Sequence, residues 1–215
     1  MKLVFAGDPM CSWCYGFGKE LTALSERHPD LQLDIVLGGV RAGATDILDD
    51  AGKQFRLQHW ARVEESSGLP FNRDAFQARQ NFVYDTEPVC RAVVVARMLV
   101  PAAQLLPVFR ALQRAFYVDG ADTTDGALLS RVAAEALREL GHDISAEQFH
   151  AKWKSPEAIT ETLADFRHVR ALGINSFPAL LLQQGDDYVM INPGYTHVDQ
   201  LDMKLTAAIK QLAAA

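Results

Sequence analysis

The sequence predicts an α/β chain whose strands come from its two ends and whose middle is helical. Three observations carry this. Residues 2–37 read strand, helix, strand; residues from about 45 to 155 show helical periodicity with no convincing alternating run; and the residues after Ser155 read helix, strand, strand, helix. With 215 residues and 49% hydrophobic content, the chain is long enough for a substantial core, as one large domain or two small ones.

Lys2 to Ala6 is a short buried strand, rich in apolar residues and closed by Gly7-Asp8-Pro9. From Cys11 to Arg27 the apolar positions Trp13, Phe17, Leu21 and Leu24 recur at spacings of three and four, which is a helical stripe. His28-Pro29-Asp30 ends it, because proline disfavours helix at the residue before it. Leu31 to Leu37 alternates as a second strand and stops at Gly38-Gly39, so the opening is a βαβ unit with a parallel pair. The middle segment is expected to hold about four or five helices. One starts at Asp85-Thr86-Glu87-Pro88, with Asp or Thr as cap and Pro in the first turn, and runs through Val89 to Val100. Another follows the cap signal Asp122 to Asp125, covers Leu128 to Leu140 and is closed by Gly141. A helix from Pro156 to about Leu172 comes next, then a hairpin of Ala179 to Leu182 and Tyr188 to Ile191, and Val198 to Leu212 closes the chain as an amphipathic helix.

Twenty-one Lys and Arg against 27 Asp and Glu leave a formal charge of −6 with no basic block. Nucleic acid and anionic membrane surfaces need a concentrated basic face, so neither is expected as a partner. The apolar run at Leu3 to Ala6 is too short for a signal-peptide core, and no stretch reaches the roughly 18 apolar residues of a membrane span. The expectation is a cytoplasmic protein, in a compartment where structural disulfides are rare. Three cysteines, an odd number, fit that setting.

Two of them are three residues apart. Cys11-Ser12-Trp13-Cys14 follows a strand and opens a helix, where residues i and i+3 come within the roughly 4.4–6.8 Å Cα separation that a disulfide requires. Cys11 falls at the helix N-terminus, whose free N–H groups and positive dipole end favour thiolate over thiol, so it is read as the attacking nucleophile. Cys14, one turn in, is read as the thiol that resolves a mixed disulfide. The competing readings are two buried structural thiols, or half of a zinc site. Zinc usually takes four ligands, and the chain has neither a second Cys-x-x-Cys nor a His-x3–5-His pair, so no metal is expected.

The Cys11-Ser12-Trp13-Cys14 motif behind a first strand, the helical block inserted midway and Ser176-Phe177-Pro178 ahead of a strand together resemble the DsbA-type branch of the thioredoxin superfamily. The resemblance covers essentially the whole chain and is strongest to the FrnE-like, cytoplasmic members, described as disulfide isomerases. It implies a thioredoxin-like fold interrupted by a large α-helical insertion domain, with residues 1–45 and 156–215 as the discontinuous thioredoxin-like domain and 46–155 as the insertion. It also implies that Pro178 is cis and faces the cysteine pair, that the backbone of Phe177 pairs with an extended substrate segment, and that Ser12 and Trp13 border the substrate. Read without the resemblance, Pro178 is a trans proline opening a strand. One departure matters: Ser12-Trp13 stands where the periplasmic oxidant carries Pro-His, so no histidine supports the Cys11 thiolate. A disulfide reductase or isomerase is therefore expected rather than a strong oxidase. Substrates would be disulfide- or thiol-containing proteins and peptides, and no cofactor is required.

Asp85 to Ala92 also resembles the helix start that contacts glutathione in kappa-class glutathione transferases and 2-hydroxychromene-2-carboxylate isomerases. That group has no cysteine pair and uses a serine near the position of Cys11. Glutathione thus stays open as reductant or co-substrate, a glutathione-dependent transferase or isomerase is the alternative enzyme, and a peptide-binding chaperone is the alternative without chemistry. Cys90 is read as a small buried hydrophobe, and Met98, Phe109, Leu112 and Phe116 as core of the helical block. Gly38-Gly39 and Gly185 are read as turns. Trp13 suits either the mouth of the site or the core. Asp8 caps the following turn or takes up a proton from the pair.

Overall fold

The computed structural model describes residues 1–101 and 104–213, and its opening segment is β1 (Lys2–Gly7), α1 (Ser12–Arg27) and β2 (Gln32–Leu37). The two strands pair in parallel with Phe5 opposite Ile35. From the other end of the chain come β3 (Ala179–Gln184) and β4 (Asp187–Pro193), an antiparallel hairpin that places β3 against β1 with Leu180 opposite Phe5. The sheet order is β2-β1-β3-β4. The pairing of β3 with β4 slips between Leu180 and Leu181, leaving Ile191 as an extra, bulged residue of β4.

Alternation along β1 sorts its side chains to two faces. Leu3 and Phe5 join the large core that includes α1 and the helical block, whereas Val4 and Ala6 meet Val169, Ile174, Ala179 and Leu181 in a smaller core. Both faces of this short sheet are therefore covered. Between the sheet's two halves lie α2 (Asp50–Ser67), α3 (Arg73–Gln77), α4 (Glu87–Leu99), α5 (Leu105–Tyr117), α6 (Gly126–Glu139) and α7 (Ala146–Trp153), followed by α8 (Pro156–Ala171); α9 (Val198–Ala213) closes the chain. Among the described residues the middle segment thus holds six helices, not the four or five expected. The short α3 and α7 account for the difference, because five and eight residues give too little length for a period to register. Phe109, Leu112 and Phe116 are buried as expected, but Met98 is only partly so. Phe109 meets Phe5 edge-on with ring centroids 5.5 Å apart, and one continuous core joins the sheet to the helical block.

Trp60 of α2 centres an aromatic cluster, 4.5 Å from Phe76, 5.1 Å from Phe71 and 5.2 Å from Tyr117. Lys53 is buried one face away, its ammonium donating to the carbonyls of Gln77 (3.2 Å) and Arg79 (2.6 Å) that end α3. On β2, Arg97 of α4 donates to the carbonyl of Ile35 (3.0 Å) and Asp165 of α8 accepts from the amide of Leu37 (2.9 Å). The same two side chains form a two-bond ion pair, 2.8 Å at each contact.

Candidate active site

The strand β1 ends in Gly7 and hands the chain to Asp8-Pro9-Met10-Cys11. Asp8 is completely buried and organises this turn. One carboxylate oxygen accepts from the amide of Met10 (2.8 Å), the other from the amide of Val40 in the loop after β2 (2.8 Å), and its carbonyl accepts from the amide of Cys11 (3.0 Å). Capping of the turn is therefore established, and burial raises the carboxyl above the usual range against opposing hydrogen bonds from Thr86, Val40, Met10 and Cys90.

Cys11 is the N-cap residue of α1, extended at φ −83° and ψ 116°, and no side chain caps the first turn. Its free N–H groups, with the positive end of the helix, lie beside the sulfur. Cys11 is partly exposed, Cys14 and Cys90 are buried, and all three are free thiols. Burial pushes the Cys14 thiol well above its ordinary value, with further contributions from Cys11 and the Asp8 charge. Cys90 is raised by burial and by Asp8 in the same way, which agrees with its reading as a packed thiol.

The hairpin brings in the second half of the site. The Phe177–Pro178 peptide is cis, and the carbonyl of Phe177 accepts from the thiol of Cys11 across 3.7 Å. Gly38 makes room for Phe177: a Cβ on Gly38 would lie 2.0 Å from that ring. Gly39 turns the chain at φ +59°, as expected of this pair, and Gly185 turns the hairpin at the same angle. Trp13 packs at 5.8 Å from Tyr195, between the two alternatives, for it is partly exposed at the edge of the core. Tyr195 donates to the carbonyl of Ser66 (2.9 Å) and to buried Glu20 (3.3 Å); burial and the Glu20 charge push its phenol up to about 12. Glu20 in turn accepts from the amide of Val198 and caps α9.

A cavity of about 240 Å³ opens in front of Cys11. Met10, Cys11, Ser12 and Trp13 form one wall, Val40 and Arg41 a second, and Phe55, Arg56, His59 and Trp60 of α2 a third, with Tyr84 also lining it. Larger clefts of about 600 and 460 Å³ lie along α1 and α5, but no cysteine lines them. The α2 residues went unremarked in the sequence because only tertiary packing brings them to the pair. Asp85 and Thr86, the expected start of α4, hold this wall. Asp85 accepts from the amides of Gly43 (2.8 Å) and Glu87 (3.0 Å), the first residue of α4, while Thr86 is the N-cap residue of that helix and its hydroxyl accepts from the amide of Arg41 (3.2 Å). Among the described residues no three His, Cys, Asp or Glu side chains converge as a metal site, and no helix is long and apolar enough to cross a membrane.

No family model and no curated protein matches the sequence. Solved structures do. A "putative protein disulfide isomerase" from Nitrosomonas europaea is 34% identical over 98% of this chain and 99% of its own, with a TM-score of 0.87. The cytosolic disulfide reductase DsbM from Pseudomonas aeruginosa, solved with GSH, is 24% identical over 98% of this chain and 100% of its own at a TM-score of 0.75. A 2-hydroxychromene-2-carboxylate isomerase is more distant, 16% identical over 99% of this chain and 96% of its own at 0.64, and shares the fold alone. Strand-to-helix placement of the cysteines, a sheet built from both ends of the chain and 34% identity over nearly the full length of the Nitrosomonas europaea protein agree, and the chain belongs to the DsbA-like oxidoreductases of the thioredoxin superfamily.

Proposed function

We propose that this oxidoreductase acts as a disulfide reductase or isomerase through the Cys11–Cys14 pair, with Cys11 as nucleophile and Cys14 as resolving thiol. The observation that carries the reading is the asymmetry of the pair: Cys11 is open to the cavity at the positive end of α1, and Cys14 is a buried thiol held protonated by its surroundings. The Cys11 thiolate attacks a substrate disulfide, forms a mixed disulfide and releases one substrate thiolate. Cys14 then loses its proton and attacks the Cys11 sulfur, releasing the second substrate thiolate and leaving the Cys11–Cys14 disulfide. The substrate gains two electrons and the enzyme loses them. Asp8, a buried carboxyl raised by burial, one turn before the pair and near enough for its charge to act on Cys14, is the proposed acceptor of the Cys14 proton.

Ser12, Trp13, Phe177 and Pro178 border the substrate in this reading, with the Phe177 backbone, whose carbonyl faces the Cys11 thiol at 3.7 Å, as the edge that an extended substrate segment pairs with. The absence of a histidine between the cysteines supports reduction or isomerisation over oxidation. Glutathione is the proposed reductant that returns the disulfide to the dithiol, supported by the DsbM structure with GSH, and a reducing, cytoplasmic setting follows from the same chemistry. The insertion is assigned to residues 46–155. Insulin-disulfide reduction by wild type and Cys11→Ser, with a redox titration against glutathione, tests the proposal: wild type alone should be active. Equal activity of the two, or a potential near the strong oxidant's value of about −120 mV, would overturn it.

A further inference from the structure

The cavity in front of Cys11 carries positive charge that the exchange reaction does not by itself require. Arg56 is half-buried in its wall. The guanidinium sits 4.4 Å above the Tyr84 ring and donates to the carbonyl of Gly52 (2.9 Å), but it makes no ion pair among the described residues. Arg41 lines the same space and is paired with Asp46 (2.7 Å). His59, tilted against Phe55 at 57° with centroids 4.6 Å apart, lines the same side. Burial lowers the Arg56 guanidinium from its ordinary value, and the charge of Arg41 adds to this while Tyr84 and Asp46 oppose it, so an anion in direct contact would relieve the remaining cost of holding the cation.

This placement has a chemical meaning. A thiolate nucleophile repels a disulfide that carries carboxylates, and a chain of net charge −6 adds to that repulsion. A half-buried guanidinium with no carboxylate partner, in the same small cavity as the attacking sulfur, reverses the preference locally. The volume, about 240 Å³, suits a short group rather than a folded segment.

We propose that Arg56, with Arg41 beside it, is an anion-docking site that makes carboxylate-bearing low-molecular-weight thiols and their disulfides the small-molecule partners of Cys11. The inference rests on the thiol–disulfide reading above and adds a specificity to it. The exchange balances as before: the Cys11 sulfur bonds to one substrate sulfur, the other leaves as thiolate, and the carboxylate held at Arg56 takes no part in the electron transfer. Trp13 and Trp60 line the cavity, so occupancy is readable from tryptophan fluorescence.

Two measurements test it. Reduced protein is reacted with oxidised glutathione, bis(2-hydroxyethyl) disulfide and cystamine, each rate divided by the rate with free mercaptoethanol under the same conditions. At low salt the normalised rate for the anionic disulfide should exceed that for cationic cystamine about ten-fold or more, and the ratio should collapse towards unity in Arg56→Gln, be restored in part in Arg56→Lys and shrink with added salt. Binding of S-methylglutathione, a thioether that cannot exchange, should quench tryptophan fluorescence in wild type and in Cys11→Ser, and weaken about ten-fold in Arg56→Gln. A ratio unchanged by Arg56→Gln, or no binding of the thioether by a folded wild type, would overturn the docking site. If Cys11→Ser exchanged as fast as wild type, the thiol–disulfide reading would fall and the proposed partnership with it, whereas thioether binding would still report on the cavity separately.

Discussion

Gly38→Ala is the substitution with the sharpest structural consequence for the site. The three atoms nearest to an added Cβ all belong to the Phe177 ring, at 2.0, 2.2 and 2.6 Å, where ordinary contact begins near 3.4 Å. Gly38 does not have the positive φ of Gly39, so alanine is acceptable to the backbone and the whole cost is steric. The ring must swing aside by more than an ångström, a change in the class of small-to-large substitutions that cost about 1–3 kcal/mol. For a chain of this size that corresponds to a fall in Tm of roughly 2–12 °C. The Phe177 carbonyl, 3.7 Å from the Cys11 sulfur, moves with its residue, so insulin-disulfide reduction should fall too. Thermal unfolding of Gly38→Ala, Phe177→Ala and the double variant isolates the cause. Removing the ring should restore most of the stability lost to the alanine, a coupling of about 1 kcal/mol or more. Strictly additive losses would refute the claim that the ring is what the new methyl meets. Gly39→Ala serves as a contrast, because its strain lies in the backbone at φ +59° and against Phe166, and Phe177→Ala should not relieve it.

The remaining predictions are independent of this one. Cys14→Ser should accumulate a mixed disulfide on Cys11 during reaction with a peptide disulfide, visible by mass spectrometry; absence of the adduct would remove Cys14 from its resolving role. Asp165→Ala leaves the Arg97 guanidinium and the Leu37 amide without their carboxylate, so stability should fall by about 3–5 kcal/mol in urea unfolding. A loss below about 1 kcal/mol would show that the pair is replaceable by solvent. Because the Asp8 carboxyl is raised by burial, the folded state holds its proton longer than the unfolded state as pH rises. The contribution is present below the unfolded value near 3.8 and is lost as pH climbs through the raised folded value, so the stability of wild type relative to Asp8→Asn should decline across that window. A relative stability that instead grew with pH would reverse the sign of the burial effect.

Much of the sheet was legible because its strands are short, apolar and closed by Gly or Pro: the segments 2–6 and 31–37 and the run Ala179 to Leu182 each lie within two residues of the observed limits. The cysteine pair was legible because a strand-to-helix turn is a local feature. What sequence could not give is the far wall of the cavity, since Phe55, Arg56 and His59 lie more than forty residues from Cys11 and meet it only through the fold. Glu20 and Lys53 were also illegible. Both are charged residues on helices, normally solvated, and each is buried because it closes the end of another helix, Glu20 that of α9 and Lys53 that of α3. Periodicity within one helix carries no record of such partnerships.

The clasp of Arg97 and Asp165 on β2 also bears on how the chain avoids its own copies. A terminal strand presents unpaired amides and carbonyls that invite another strand to add on, the common start of sheet-mediated aggregation. Here a guanidinium supplies the donor and a carboxylate the acceptor that a neighbouring backbone would bring, occupying Ile35 and Leu37 with side chains that cannot propagate a ladder. The opposite border uses another device, a strand interrupted at Ile191 and ended by Pro193. Asp165→Ala should therefore release an edge as well as loosen the fold, exposing a template for polymerisation that the folded enzyme keeps covered.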